Sequence, residues 1–157
     1  MDAKVIWNQA LSFTGSATSG FEVPLDADEG AGGTNSGFRP LELLAVGLAG
    51  CTAMDVLAIV RKKRQDVTAF DVQVLTRQSN EHPYVFTSAE ILYRVTGHTI
   101  DEAAVRRGIE LSALHYCPAQ AMLSKSFPMT LKYEIYEDAG DDGKQLVKQG
   151  TWEPTAS

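Results

Sequence analysis

Two cysteines and three histidines carry most of the reactive chemistry in this chain: Cys51, Cys117, His82, His98 and His115. No CxxC pair, paired-carboxylate pattern or Ser-His-Asp arrangement competes with them. A thiol becomes a strong nucleophile only as thiolate, so the question for each cysteine is what would stabilise the ionised form. On composition alone, a lone cysteine in an apolar helix is an inert small hydrophobe. Cys51, mid-helix and desolvated, needs a nearby cation to fall below the reference pKa of ~8.5. Asp55, one turn further on the same face, opposes ionisation unless it orients such a cation. Cys117 precedes Pro118 at an expected helix start, where free N–H groups and the positive dipole end favour thiolate. Local physics therefore makes Cys117 the more acidic thiol.

A metal site built from His115, Cys117 and Cys51 fails on ligand number, because zinc takes four ligands, or three at a catalytic site. His115-Tyr116-Cys117 is also not a recognised ligand spacing. Neither a metal nor a cofactor is expected. His115 reads as an exposed or supporting residue on the turn before Cys117, and His82 and His98 sit in loops with no case for chemistry.

The element that must carry Cys51 runs from Pro40 to Arg64. It has no charge between Leu43 and Met54, and its apolar residues run right round the helix rather than forming a stripe. Such a helix demands burial on all sides, which a chain of 157 residues achieves more easily if a second copy lends surface. A homodimer is the expected assembly. The charge-free run, bracketed by Glu42 and Asp55, falls short of the ~20 residues of a bilayer span and suits a core helix. Arg61, Lys62, Lys63 and Arg64 complement the negative helix end and read as a solvated terminus.

Around this helix, residues 3–25 alternate as three short strands, with turns near Asn8-Gln9 and across Gly15 to Gly20. Asp26 to Arg39 is rich in Gly, Asp and Ser and reads as a mobile loop; its glycine spacing does not match a calcium loop. Val67–Gln78 and Tyr84–Thr96 form a hairpin across Asn80-Glu81-His82-Pro83. Thr99 and Glu102 suggest a capping box for a helix reaching Tyr116, and Pro118 opens another that ends near Phe127. Met129 to Ile135 is the last expected strand. The order predicts an α+β fold with a single domain over 1–137 and a linker-like tail over 138–157. With 44% hydrophobic and 22% charged residues the composition is that of a globular protein, and the formal charge of -6 argues against nucleic acid or an anionic membrane as partner. No export signal opens the chain, so a cytoplasmic location is expected.

The motifs that carry the cysteines are specific. Pro40-Leu41-Glu42-Leu43-Leu44 with Gly47, then Gly50-Cys51-Thr52-Ala53-Met54-Asp55, and Ser112-Ala113-Leu114-His115-Tyr116-Cys117-Pro118 resemble the OsmC/Ohr family of thiol-dependent peroxidases over about residues 1–137. The resemblance implies an OsmC-like fold, an antiparallel sheet wrapped around a long buried central helix, in an intertwined homodimer. It also implies Cys51 as the thiolate that attacks a peroxide O–O bond, Cys117 as the resolving cysteine, organic hydroperoxides as substrates and an external dithiol as reductant. The two sulfurs must then meet in space.

In that family an arginine of the N-terminal sheet pairs with the attacking thiolate, and a glutamate holds the arginine. Phe13 to Gly20 contains no arginine here, and Glu42 stands one position later than the pattern sets it, which is where Leu41 lies. On an ideal helix Glu42 is about 13.5 Å from its own Cys51, so it qualifies as a site residue only across the dimer, as does the substitute cation Arg39. Three readings follow: a hydroperoxide reductase, a thiol oxidoreductase acting on another sulfur or electrophilic substrate, and a non-catalytic binder of small apolar ligands.

Overall fold

The computed structural model describes residues 1–153. Among them the chain forms seven strands and three α-helices in the order β1 (Ala3–Gln9), β2 (Ser12–Ala17), β3 (Glu22–Leu25), α1 (Pro40–Lys62), β4 (Asp66–Gln78), β5 (Phe86–His98), α2 (Glu102–Leu111), α3 (Pro118–Leu123), β6 (Met129–Asp138) and β7 (Lys144–Trp152). It divides into two compact units, Met1–Val46 and Gly47–Ser157, with the boundary inside α1.

The first unit is an antiparallel meander, β1-β2-β3, in which Trp7 faces Phe13 and Gly15 faces Val23. Gly15 lies within β2 rather than in a turn: a Cβ there would approach Leu25 Cδ1 to 2.8 Å, so the glycine makes room for a neighbouring side chain. The stretch from Asp26 to Arg39, expected as a mobile loop, is organised around one carboxylate. Asp26 is 3% exposed and accepts from the backbone N–H of Ala27, Thr34 and Ser36 and from the hydroxyls of Thr34 and Ser36. At Gly33 a Cβ would collide with the Ala27 carbonyl, which is why the loop is glycine-rich where it folds back.

The second unit packs the remainder of α1, α2 and α3 on a four-stranded sheet of order β4-β5-β6-β7. Four of the strand pairings, β1-β2, β2-β3, β4-β5 and β6-β7, are antiparallel; β5 with β6 is parallel, because α2, the turn after it and α3 return the chain to the starting end of the sheet. The core joins Leu48, Val56 and Val60 of α1 to Ile91, Tyr93 and Val95 of β5, Val105 and Ile109 of α2, and Leu131, Tyr133 and Ile135 of β6. Each fully buried aliphatic or aromatic side chain here contributes roughly 1.5–3 kcal/mol by transfer from water.

By length and composition α1 could cross a membrane, and one face of it packs into the core of the second unit. Leu48, Thr52, Val56 and Val60 form a buried stripe at four-residue spacing, while Met54 is 76% exposed. The expected burial on every side is therefore met on one face within a single chain.

Three local expectations are corrected. The cap of α2 is Asp101, whose Oδ1 accepts the Ala103 N–H at 3.0 Å; Thr99 has φ +52° and its N–H goes to Glu137, so the Thr99–Glu102 box does not form. The helix expected to reach Tyr116 stops at Leu111 and continues as one π turn, Ser112–Tyr116. Beyond Glu137, residues expected as linker and tail supply β7, an edge strand paired antiparallel to β6. Its residues are mostly exposed on both faces, so it lacks the apolar alternation that marks a strand in sequence; backbone hydrogen bonds and the docked Trp152 hold it instead. At Gly150 a Cβ would strike the Tyr133 hydroxyl, which fixes the glycine.

Candidate active site: a paired dithiol

Cys51 lies in mid-α1 and Cys117 at the start of α3, and the fold brings their sulfurs to 3.0 Å. Both are free thiols, Cys51 half-buried and Cys117 2% exposed. That separation is about 1 Å longer than the ~2.05 Å of a disulfide bond. The hydrogen bond runs from Cys117 Sγ to Cys51 Sγ, which leaves Cys51 as the sulfur whose lone pairs receive a proton.

The π turn and α3 hold Cys117 on two sides. Its N–H donates to the Ser112 carbonyl at 2.9 Å, and its sulfur accepts the Gln120 N–H at 3.4 Å as the N-cap of α3. A π turn is uncommon and concentrates at functional sites, where it re-aims the chain. The expectation that Cys117 is the more acidic thiol is overturned. The N–H donor foreseen from sequence is present, but burial outweighs it, the bond to Cys51 adds to burial, and the Cys117 thiol is pushed up to about 11. At neutral pH Cys117 is therefore a thiol that donates.

Beneath the sulfurs lies a buried polar cluster. Thr52 Oγ1 is 2.6 Å from the Tyr93 hydroxyl and 2.9 Å from Ser112 Oγ, and accepts from Gln120 Nε2 at 2.8 Å. Ser112 Oγ donates to Asp55 Oδ2 at 3.1 Å, and Gln120 Nε2 also reaches the Tyr93 hydroxyl at 3.3 Å. Burial pushes the Tyr93 phenol well above its usual range, so it stays a donor. Asp55, suspected of opposing the thiolate, is engaged with Ser112. Thr52 and Ser112 stand in the cysteine motifs without an assigned role, and Tyr93 and Gln120 lie outside them. A signal was present in α1, where Thr52 stands in an aliphatic stripe and a hydroxyl there requires partners.

The other candidates make contacts of their own. Glu42 belongs to the first unit and is occupied there: its Oε2 accepts the Arg39 N–H at 2.9 Å, capping the start of α1. The Arg39 guanidinium donates to the Gly37 carbonyl at 2.9 Å and to Asn35 Oδ1. His115 is exposed, the His82 ring lies tilted against Tyr84 with centroids 4.2 Å apart, and His98 faces Glu137 at 3.6 Å. Among the described residues no three His, Cys, Asp or Glu side chains are grouped to hold a metal.

Comparison with known proteins assigns the family. Residues 33–132 match the model of the OsmC-like protein family. The chain is also 35% identical to protein YhfA of Escherichia coli K12 over 135 residues, 86% of this chain and 98% of YhfA. It belongs to the OsmC family. Two solved structures show how far the family fold extends. An OsmC-like protein from Mycoplasma pneumoniae superposes with TM-score 0.72 at 18% identity, over 85% of this chain and 95% of that one. An organic hydroperoxide resistance protein from Elizabethkingia anophelis superposes with TM-score 0.61 at 16% identity, over 85% and 92%. The α+β architecture of two sheets and one long helix is thus the OsmC fold, and in this OsmC protein the cysteines of both family motifs meet at one point.

Proposed function

We propose that this OsmC protein is a thiol-dependent reductase of organic hydroperoxides, with Cys51 as the attacking and Cys117 as the resolving cysteine. The observation that carries the reading is the 3.0 Å approach of the two sulfurs with Cys117 as donor. Burial keeps Cys117 protonated, and Cys51 is the less buried of the two sulfurs and the one open to substrate. Its thiolate attacks the distal peroxide oxygen, the O–O bond breaks, and the alkoxide leaves with a proton as alcohol; Cys51 becomes a sulfenic acid. The Cys117 thiol then condenses with it, forming the disulfide and releasing water. An external dithiol reduces that disulfide by exchange and is itself oxidised to a disulfide. Membership in a family that includes proteins described as conferring organic hydroperoxide resistance supports a role in oxidative stress.

The proposal includes a homodimer in the cytoplasm. Val5, Ile6, Trp7 and Phe21 of the first unit and Met54, Tyr116 and Met122 of the second are more than half exposed in the single chain, apolar area of the kind an obligate partner covers. In such a dimer Glu42 and Arg39 would come to the thiols from the second copy, Arg39 supplying the cation that Phe13 to Gly20 lacks and Glu42 the carboxylate that holds it.

The test mixes reduced protein with cumene hydroperoxide and follows the thiols by mass spectrometry. A Cys51–Cys117 disulfide is expected in the parent and a sulfenic acid at Cys51 in Cys117→Ser. No disulfide and no loss of the Cys51 thiol would end the reading. A second reading, a thiol oxidoreductase acting on another sulfur or electrophilic substrate, is favoured by one observation: the hydrogen-bond partner of Cys51 Sγ is a second thiol. It requires the same disulfide with disulfide substrates and none with peroxides.

A further inference from the structure

Thr52 follows Cys51 in α1 and is fully buried, in the stripe whose other members are Leu48, Val56 and Val60. A hydroxyl in such a place costs stability unless all its hydrogen-bonding capacity is used. Here the direction of every proton can be worked out. Asp55 is a carboxylate and only accepts, so Ser112 Oγ donates to it and has only lone pairs left for Thr52. Thr52 therefore donates to Ser112 at 2.9 Å. Its own two lone pairs receive the Tyr93 hydroxyl at 2.6 Å and Gln120 Nε2 at 2.8 Å. One donor and two acceptor sites are the whole capacity of a threonine hydroxyl, and all three are filled.

Two of those three partners are the residues that grip Cys117. Ser112 accepts the Cys117 N–H through its carbonyl at 2.9 Å, and Gln120 donates its backbone N–H to the Cys117 sulfur at 3.4 Å. One hydroxyl beside Cys51 thus ties the helix bearing that cysteine to both sides of the turn bearing the other, with Tyr93 as a floor from β5. These partners lie 41, 60 and 68 residues from Thr52, so no local feature of the chain would hold them together.

We infer that Thr52 is a positioning residue that sets the reduction potential of the Cys51–Cys117 couple by holding the two sulfurs at disulfide-forming approach. The inference rests on that couple being redox-active. Two thiols already ordered at 3.0 Å lose little conformational freedom when they bond, so their effective concentration towards each other is high and the disulfide is correspondingly stable. Loosening the Cys117 turn lowers that concentration and makes the couple more oxidising.

The test equilibrates full-length reduced protein with glutathione and glutathione disulfide at pH 7, quenches with acid, alkylates the remaining thiols and reads the oxidised fraction by mass. The two protein thiols pass two electrons and two protons to one glutathione disulfide, which leaves as two thiols while one protein S–S bond forms. Thr52→Val keeps the shape but removes the three bonds to Tyr93, Ser112 and Gln120; it should weaken the disulfide roughly tenfold, a rise of ~30 mV. Thr52→Ser keeps all three bonds and should match the parent. A folded Thr52→Val with the parent's potential overturns the inference, as does a Thr52→Ser shifted equally far. If Thr52→Val fails to fold, Tyr93→Phe removes one of the three bonds and should shift the potential in the same direction by less; no shift overturns it. A parent in which no Cys51–Cys117 disulfide forms at any glutathione ratio also overturns it. The equilibrium involves no hydroperoxide, so its failure is separate from failure of peroxide turnover.

Discussion

Asp26 in the first unit and Thr52 in the second are both buried side chains that gather the hydrogen bonds of their surroundings, and they do it with opposite chemistry. Asp26 is a charge that accepts five bonds, all from residues no more than ten positions away. The Thr34 hydroxyl above all, with the Ser36 N–H and hydroxyl, holds its carboxyl well below the usual carboxylate range. Thr52 is neutral and its partners come from three distant elements. The contrast shows what each site can tolerate. A loop of short polar residues supplies enough N–H and O–H donors to stabilise a full negative charge. Next to Cys51 the hub is a neutral hydroxyl, which organises the site without adding a further negative charge to that of Asp55.

The largest effect is expected from erasing the difference. Thr52→Asp places a carboxylate among partners that cannot neutralise it and should cost on the order of 3–5 kcal/mol in urea unfolding. If it costs nothing, the site is not closed to charge and the comparison fails.

Next comes Asp26→Asn, which is nearly isosteric but replaces one acceptor oxygen with donors facing donors. The 27–38 loop should become the first site of cleavage by a nonspecific protease, roughly tenfold faster than in the parent at pH 7. The sign of the acid dependence follows from the lowered carboxyl pKa. Stabilisation from Asp26 is present above the unfolded value of ~3.9 and is lost as the pH falls below it, a step the Asn variant should lack.

A smaller effect concerns Cys117, whose pKa moves the other way. Its folded-state value, pushed up to about 11, lies above the ~8.5 of an unfolded thiol. The stabilisation is full below ~8.5 and disappears as pH rises towards the folded value. Thermal unfolding of the parent between pH 8 and pH 10.5 should show this loss, and Cys117→Ala should not.

The smallest effect separates sequence distance from burial. Thr68 donates to Asp138 across 70 residues, as long a reach as any of Thr52's, but the pair is exposed. Thr68→Val should change stability by less than ~0.5 kcal/mol. A larger loss would mean that reach along the chain, and not burial, gives the Thr52 cluster its weight.

Much of the frame is legible in the residues. Alternation at Val5, Trp7, Phe13, Val23 and Leu25 marks the first meander, and the apolar run from Leu43 to Met54 marks α1, because side-chain periodicity follows the geometry of the element, even where the single chain leaves Val5, Trp7 and Met54 exposed. The cysteine motifs also identify the family. Where the reading went astray, the competing force is identifiable. Gly15 looked like a turn but makes way for Leu25, and Thr99 looked like a cap that Asp101 supplies. The strand β7 carries little apolar pattern because pairing with β6, not burial, specifies it.

The acidity of Cys117 shows where local reading ends. The sequence by itself determined that a thiol would stand before Pro118 with helix N–H groups in reach, and the Gln120 N–H is where it should be. Only the tertiary structure decided that this sulfur would be out of water and against a second sulfur, which reverses the sign of its shift. Spacing along the chain controls hydrogen bonds within one turn; desolvation depends on every atom packed around a group, and those atoms arrive from parts of the chain that no local window contains.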